Sequence, residues 1–141
     1  MTTIDFYFNA EDRLQVACRL AAKAASQKKR LLVHVPDAEL AARFDRMLWT
    51  WQALAFVPHC AAHDPLAVDT PVLLASAEET PPGCELLLNL GAAPPPHFER
   101  FARLLEVVGG EESERLAGRE RYKFYQARGY KISTHDLGVA Q

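Results

Sequence analysis

Ile4-Asp5-Phe6-Tyr7-Phe8, a run carrying Leu14, Ala17, Cys18, Ala21 and Ala25, and then Arg30-Leu31-Leu32-Val33-His34-Val35 together decide the fold. The first and last stretches are short and rich in strand formers, whereas the middle one repeats small apolar residues at helical spacing. Strand, helix and strand in this order form a crossover that joins parallel strands. The helical stripe is mostly alanine, so this helix is expected to lie close against the sheet. Asn9 is placed to cap its start, and Lys28-Lys29-Arg30 set cations at its negative C-terminal end.

The same alternation continues outward. Pro36-Asp37 open a second helix with the apolar stripe Leu40, Phe44, Met47, Leu48 and Trp51. A loop-rich stretch runs from Gln52 to Thr70 and contains the extended piece Phe56-Val57-Pro58. Pro71–Ala75 and Glu85–Leu90 read as strands separated by the turn Pro81-Pro82-Gly83. Pro94-Pro95-Pro96 lead into a short helix near His97–Ala102, and Leu104–Val108 reads as the final strand. Gly109-Gly110 break that strand, and the last helix runs from about Glu111 to Arg128, with Gly129 as its stop. Without internal repeats or a linker, residues 1–141 are expected to form one three-layer α/β domain, its largely parallel sheet flanked by helices.

Composition narrows the function. In 141 residues, 16 Lys+Arg stand against 18 Asp+Glu, a net charge of -2, with 49% hydrophobic and 24% charged residues. That profile fits a folded domain and opposes one that grips duplex nucleic acid through its overall field. No apolar run approaches the ~20 residues that span a bilayer. Met1-Thr2-Thr3-Ile4 lacks the basic and apolar regions of a signal peptide. Three widely spaced cysteines, Cys18, Cys60 and Cys84, fit a reduced, cytoplasmic setting.

Catalytic patterns are missing. After the first strand the chain reads Phe8-Asn9-Ala10-Glu11-Asp12, with neither GxGxxG nor GxxxxGK[ST], and its acids repel phosphate. His59-Cys60-Ala61-Ala62-His63-Asp64 collects metal-ligand types but matches no standard zinc spacing, so no metal or other cofactor is expected. No nucleophile elbow arranges the serines and histidines. Fold class alone leaves open an alternative, a small nucleotide-binding domain or enzyme using the crevice at the C-terminal strand ends near Asn89–Gly91.

Two surfaces remain. At about 100° per residue, the last helix is expected to turn Leu116, Ala117, Phe124 and Ala127 toward the sheet. Arg115, Arg119 and Tyr122 then cluster on the other side, with Lys123 and Gln126 at the edges. Two guanidiniums beside an aromatic ring suit a carboxylate on an apolar group, or phosphate and base, or stand as a solvated face. In the second helix Trp49 points away from the apolar stripe. It is either an interface anchor, extended by Phe56, Pro58 and His59, or is covered by the loop that follows. Mid-helix Gly118 costs about 1 kcal/mol against alanine, which suggests a close approach there.

These residues carry a resemblance. Phe6-Tyr7-Phe8, Leu48-Trp49 followed by Phe56-Val57-Pro58-His59, and above all Arg119-Glu-Arg-Tyr-Lys-Phe-Tyr125 resemble the chi subunit family of the bacterial DNA polymerase III holoenzyme, in order and separation, over essentially the whole chain. The resemblance implies a Rossmann-like domain without nucleotide binding and without an active site, acting within a polymerase complex at the replication fork. It implies two partners, the psi subunit of the clamp loader and the acidic, phenylalanine-terminated tail of single-stranded DNA-binding protein (SSB). DNA is then met mainly through SSB. Tail binding would fall to Arg119 and Tyr122, supported by Arg115 and Lys123; psi binding would fall to Trp49, Phe56, Pro58 and His59.

Overall fold

The computed structural model describes residues 2–50, 58–62, 64, 70–75 and 83–138. Strands β1 (Thr3–Ala10), β2 (Leu31–His34), β3 (His59–Ala61), β4 (Val72–Ala75), β5 (Leu86–Asn89), β6 (Arg103–Gly109) and β7 (Lys131–Asp136) make one sheet in the order β3-β4-β2-β5-β6-β1-β7. Every neighbouring pair is parallel. Helices α1 (Arg13–Ser26) and α2 (Ala38–Trp49) pack on one face. Helix α3 (Glu112–Ala127) and the 3-10 turn Phe98–Arg100 pack on the other. The three-layer α/β domain read from the sequence is therefore the observed one.

Strand alternation divides the core between the layers. Leu31, Val33, Leu86, Leu88, Leu105 and Val107 turn toward α1 and α2, where Ala17, Cys18 and Ala21 are fully buried. The alanine stripe does bring α1 close to the sheet, because methyl side chains leave little to separate helix from strand. Ile4, Phe6, Leu32, Leu87, Leu104 and Val108 point the other way and meet Phe98, Phe101 and Tyr125.

Four local expectations are corrected. Asp12, not Asn9, caps α1: its carboxylate accepts from Leu14 N at 3.1 Å and Gln15 N at 3.3 Å. Asn9 instead lies in the left-handed region at φ 61, where β1 shifts register against β6, and its Nδ2 donates to Asp136 Oδ1 at 2.9 Å. Leu104–Val108 is not the final strand, since β7 follows α3 and pairs with β1. Lys131-Ile132-Ser133-Thr134-His135-Asp136 shows no apolar alternation because, as an edge strand, it is exposed at every residue except the half-buried Ile132. Within the loop-rich stretch, His59–Ala61 forms the opposite edge, too short to leave a periodic signal.

The fourth correction concerns α3. Its buried residues are Gly118, Arg121 and Tyr125; Leu116 and Ala127 are exposed, and Ala117 and Phe124 half-buried. The helix is rotated from the apolar projection because a charge sits in the sheet beneath it. Glu106, fully buried in β6, accepts from Arg121 Nε at 2.8 Å, Tyr125 Oη at 2.5 Å and Asn89 Nδ2 at 3.0 Å. A buried carboxylate must be paired and hydrogen-bonded, so α3 turns its arginine and tyrosine inward. Full burial pushes the Glu106 carboxyl up, while the Arg121 charge and the three donors pull it down. Burial and the Glu106 charge hold the Tyr125 phenol far above its ordinary value, so it remains a donor.

Candidate functional site

Turning Arg121 and Tyr125 inward leaves Arg115, Arg119 and Tyr122 on the flank of α3 that overhangs β1 and β7. These three side chains line one open cavity of about 410 Å³ together with Phe6, Phe8, Asn9, Val108, Gly118 and Thr134. Each strand supplies its part through alternation: Phe6 and Phe8 share the α3 face of β1, and Thr134 stands opposite Phe6 in register. Phe6 meets the half-buried Tyr122 edge-on, with ring centroids 5.3 Å apart. The cavity is thus an apolar trough with two exposed arginines at its rim. That pairing suits an aromatic or aliphatic group attached to a carboxylate, because the guanidinium fork matches the anion while the trough removes apolar surface from water.

Lys123 is not among the residues lining this cavity. It is exposed and its Nζ stands 3.8 Å from Glu120 Oε1. Sequence reasoning grouped the cations of α3 but missed the floor. Phe6 and Phe8 were read as strand formers and as part of the family resemblance, not as lining of a site, and Thr134 belongs to the strand that left no periodic signal.

The tryptophan surface lies at the other end of the sheet. Trp49 ends α2 and is 54% exposed. Its ring is tilted against His59 with centroids 4.9 Å apart, and His59 Nε2 stands 3.0 Å from Asp45 Oδ1. The His59 side chain is buried under α2, so it supports the indole more than it presents itself. Pro58 is exposed, and Phe56 falls outside the described residues.

The crevice at the C-terminal strand ends also exists, about 420 Å³ between the loops after β2 and β5, lined by Arg13, Pro36, Asp37, Gly91, Ser113, Glu114 and Arg121 among others. Several polar groups in and beneath it are turned to the protein. Arg13 Nε donates to Val107 O at 2.8 Å, and Arg121 Nη1 donates to Ala92 O at 3.1 Å. Asn89 Nδ2 donates to Ala93 O at 3.0 Å, and its Oδ1 accepts from Gly91 N at 2.9 Å. The N-termini of α1 and α2 are capped by the chain's own Asp12 and Asp37. Carboxylates therefore occupy the positions where helix ends would hold phosphate.

Residues 1–133 match the family model described as DNA polymerase III chi subunit, HolC. The chain is similar to proteins named DNA polymerase III subunit chi from three bacteria. That of Pseudomonas aeruginosa is 37% identical over 97% of this chain and 98% of the relative. That of Escherichia coli is 30% identical over 94% and 89%, and that of Haemophilus influenzae 26% over 96% and 98%. Among solved structures, a variant of the S. cerevisiae Dbp5 C-terminal domain, bound to a Gle1 variant and IP6, matches 97% of the chain with a TM-score of 0.59. At 7% identity that likeness concerns the fold alone. On the family match over nearly its whole length, the chain belongs to the DNA polymerase III chi subunit family.

Proposed function

We propose that this DNA polymerase III subunit is a non-catalytic adaptor that ties the clamp loader, through psi, to SSB-coated template by holding the acidic C-terminal tail of SSB. One observation carries the reading: Arg115, Arg119 and Tyr122 share a single cavity whose floor is apolar. A tail that ends in phenylalanine presents an aromatic ring and a carboxylate on one residue. The ring lies in the trough against Phe6, Phe8 and Tyr122, and the carboxylate meets Arg115 and Arg119. Exposed guanidiniums are screened by salt, so a single tail binds modestly, and several tails on one SSB assembly gain through effective concentration.

The psi-facing surface is assigned to Trp49, with His59 beneath the indole and the exposed Pro58 next to His59 in sequence; an exposed, braced tryptophan suits an interface anchor. The assignment of Phe56, which lies outside the described residues, rests on its place in the sequence after Trp49 and on the family resemblance.

The test is a titration of the full chain with a synthetic SSB-tail peptide at two salt concentrations. Binding is expected to weaken with salt and to fall at least tenfold in Arg119→Ala and in Tyr122→Ala. Unchanged binding in both variants removes the tail from this groove.

A further inference from the structure

Arg115 and Arg119 line more than one cavity. On the far side of these two side chains a second one, about 440 Å³, is lined by Gly110, Glu112, Leu116, Arg115 and Arg119. Leu116 is 52% exposed there, one of three large hydrophobics exposed among the described residues. The arginines thus form a ridge with an apolar surface on either flank: Phe6, Phe8 and Tyr122 on one side, Leu116 on the other. The charges flanking Leu116 are unequal. Glu112 stands one turn before it and Lys123 two turns after it on the same side of α3, at about 100° per residue.

We infer that the second cavity is a separate subsite for the same peptide, taking an uncharged apolar residue two or three positions before the terminal aromatic. This rests on the proposed tail binding in the first cavity. A peptide whose terminal ring fills the trough has its carboxylate on the ridge, and its preceding residues must leave over the arginines. An extended chain advances about 3.4 Å per residue, so two or three residues cross a ridge one side chain wide. The next side chain then lands on Leu116. Glu112 lines that cavity and repels a carboxylate there, while Lys123 draws acidic residues farther upstream along the helix. The occupant is therefore apolar at this position and acidic beyond it.

The experiment uses the full chain and fluorescent acidic peptides ending in a free phenylalanine, with leucine, serine or aspartate placed third or fourth from the end. Wild-type protein is expected to favour the leucine peptide about fivefold over the serine one, the magnitude of partly burying one aliphatic side chain. Leu116→Ser, at an exposed position, should erase that preference at every salt concentration, and Glu112→Gln should improve the aspartate peptide selectively. Equal affinity for all three peptides, with Arg119→Ala still weakening each, overturns the subsite and leaves the groove reading standing. Failure of every peptide to bind overturns the groove reading and the subsite with it.

Discussion

Gly118 of α3 lies directly over Val108 of β6: a Cβ at position 118 would stand 2.6 Å from Val108 Cγ2 and 2.9 Å from Cγ1. The mid-helix glycine therefore permits the close approach that its helix propensity alone would oppose. The same approach makes Gly118 and Val108 neighbours in the floor of the arginine-rimmed cavity.

Substitution at this contact has a defined sign. Gly118→Ala gains about 1 kcal/mol in helix propensity but overpacks a β-branched neighbour, which costs about 1–3 kcal/mol. Gly118→Ala is expected to be destabilised or at best neutral, whereas Gly118→Ala with Val108→Ala is more stable than the sum of the two single changes. Urea unfolding of the four proteins measures the coupling, and strict additivity would remove the contact as the explanation.

The cations of α3 should divide by position. Arg119 lines both cavities, while Lys123 lines neither and sits beside Glu120. Arg119→Ala should weaken a tail peptide at least tenfold at low salt, with the loss shrinking as salt rises. Lys123→Ala should cost less than threefold, as exposed charges usually do. Fluorescence anisotropy at two ionic strengths separates them.

Trp49 and the groove occupy different parts of the sheet. β3, beside Trp49, is five strand spacings from β1, about 24 Å at about 4.8 Å per spacing. Trp49→Ala should therefore leave tail-peptide affinity within twofold while weakening psi association at least tenfold. Since the indole is half-exposed, stability should change by less than about 1 kcal/mol. Pull-down against psi and peptide titration on one preparation test both halves.

Acid should loosen the β7 edge through Asp5. Arg103 donates to Asp5 Oδ2 from Nε at 3.1 Å and from Nη2 at 2.6 Å, and His135 Nε2 of β7 stands 3.1 Å from Oδ1. Burial pulls this carboxyl up, but the hydrogen bonds and charges of Arg103 and His135 together hold it below its ordinary 3.8. The folded state thus binds this proton more weakly than the unfolded chain. The stabilisation is full above about pH 4 and is lost as pH falls through the depressed value. Asp5→Asn should be less stable than wild type by about 2 kcal/mol at pH 6, with the gap closing near pH 3. Denaturant unfolding at both pH values decides it.

Cys18 should be inert in the native protein. It is fully buried on the sheet-facing side of α1, and burial pushes its thiol up to about 12. Alkylation at pH 8 should label Cys60 and Cys84, which are partly exposed, before Cys18, and denaturant should make the three equivalent. Peptide mass mapping after timed labelling gives the order.

The sequence by itself determined the layers. Alternating apolar runs announced the parallel sheet, the alanine stripe announced a helix pressed against it, and the acidic turn after β1 excluded a phosphate loop. It also identified the arginines of α3 and the tryptophan of α2, because residue type and helical spacing are local properties. Tertiary structure decided which way α3 faces. Its apolar projection put Leu116 and Ala127 inward, but the carboxylate of Glu106 in the middle of a strand required Arg121 and Tyr125 above it. Pairing a buried charge outweighs burying one leucine, so the helix turned, exposing Leu116 and setting Arg115, Arg119 and Tyr122 over Phe6 and Phe8. A glutamate inside Leu104-Leu105-Glu106-Val107-Val108, with an arginine and a tyrosine four residues apart on the last helix, was the legible signal of that rotation. The site's remaining wall, β7, had none, because an edge strand exposed along nearly all its length needs no periodic hydrophobicity and is fixed only by pairing with β1.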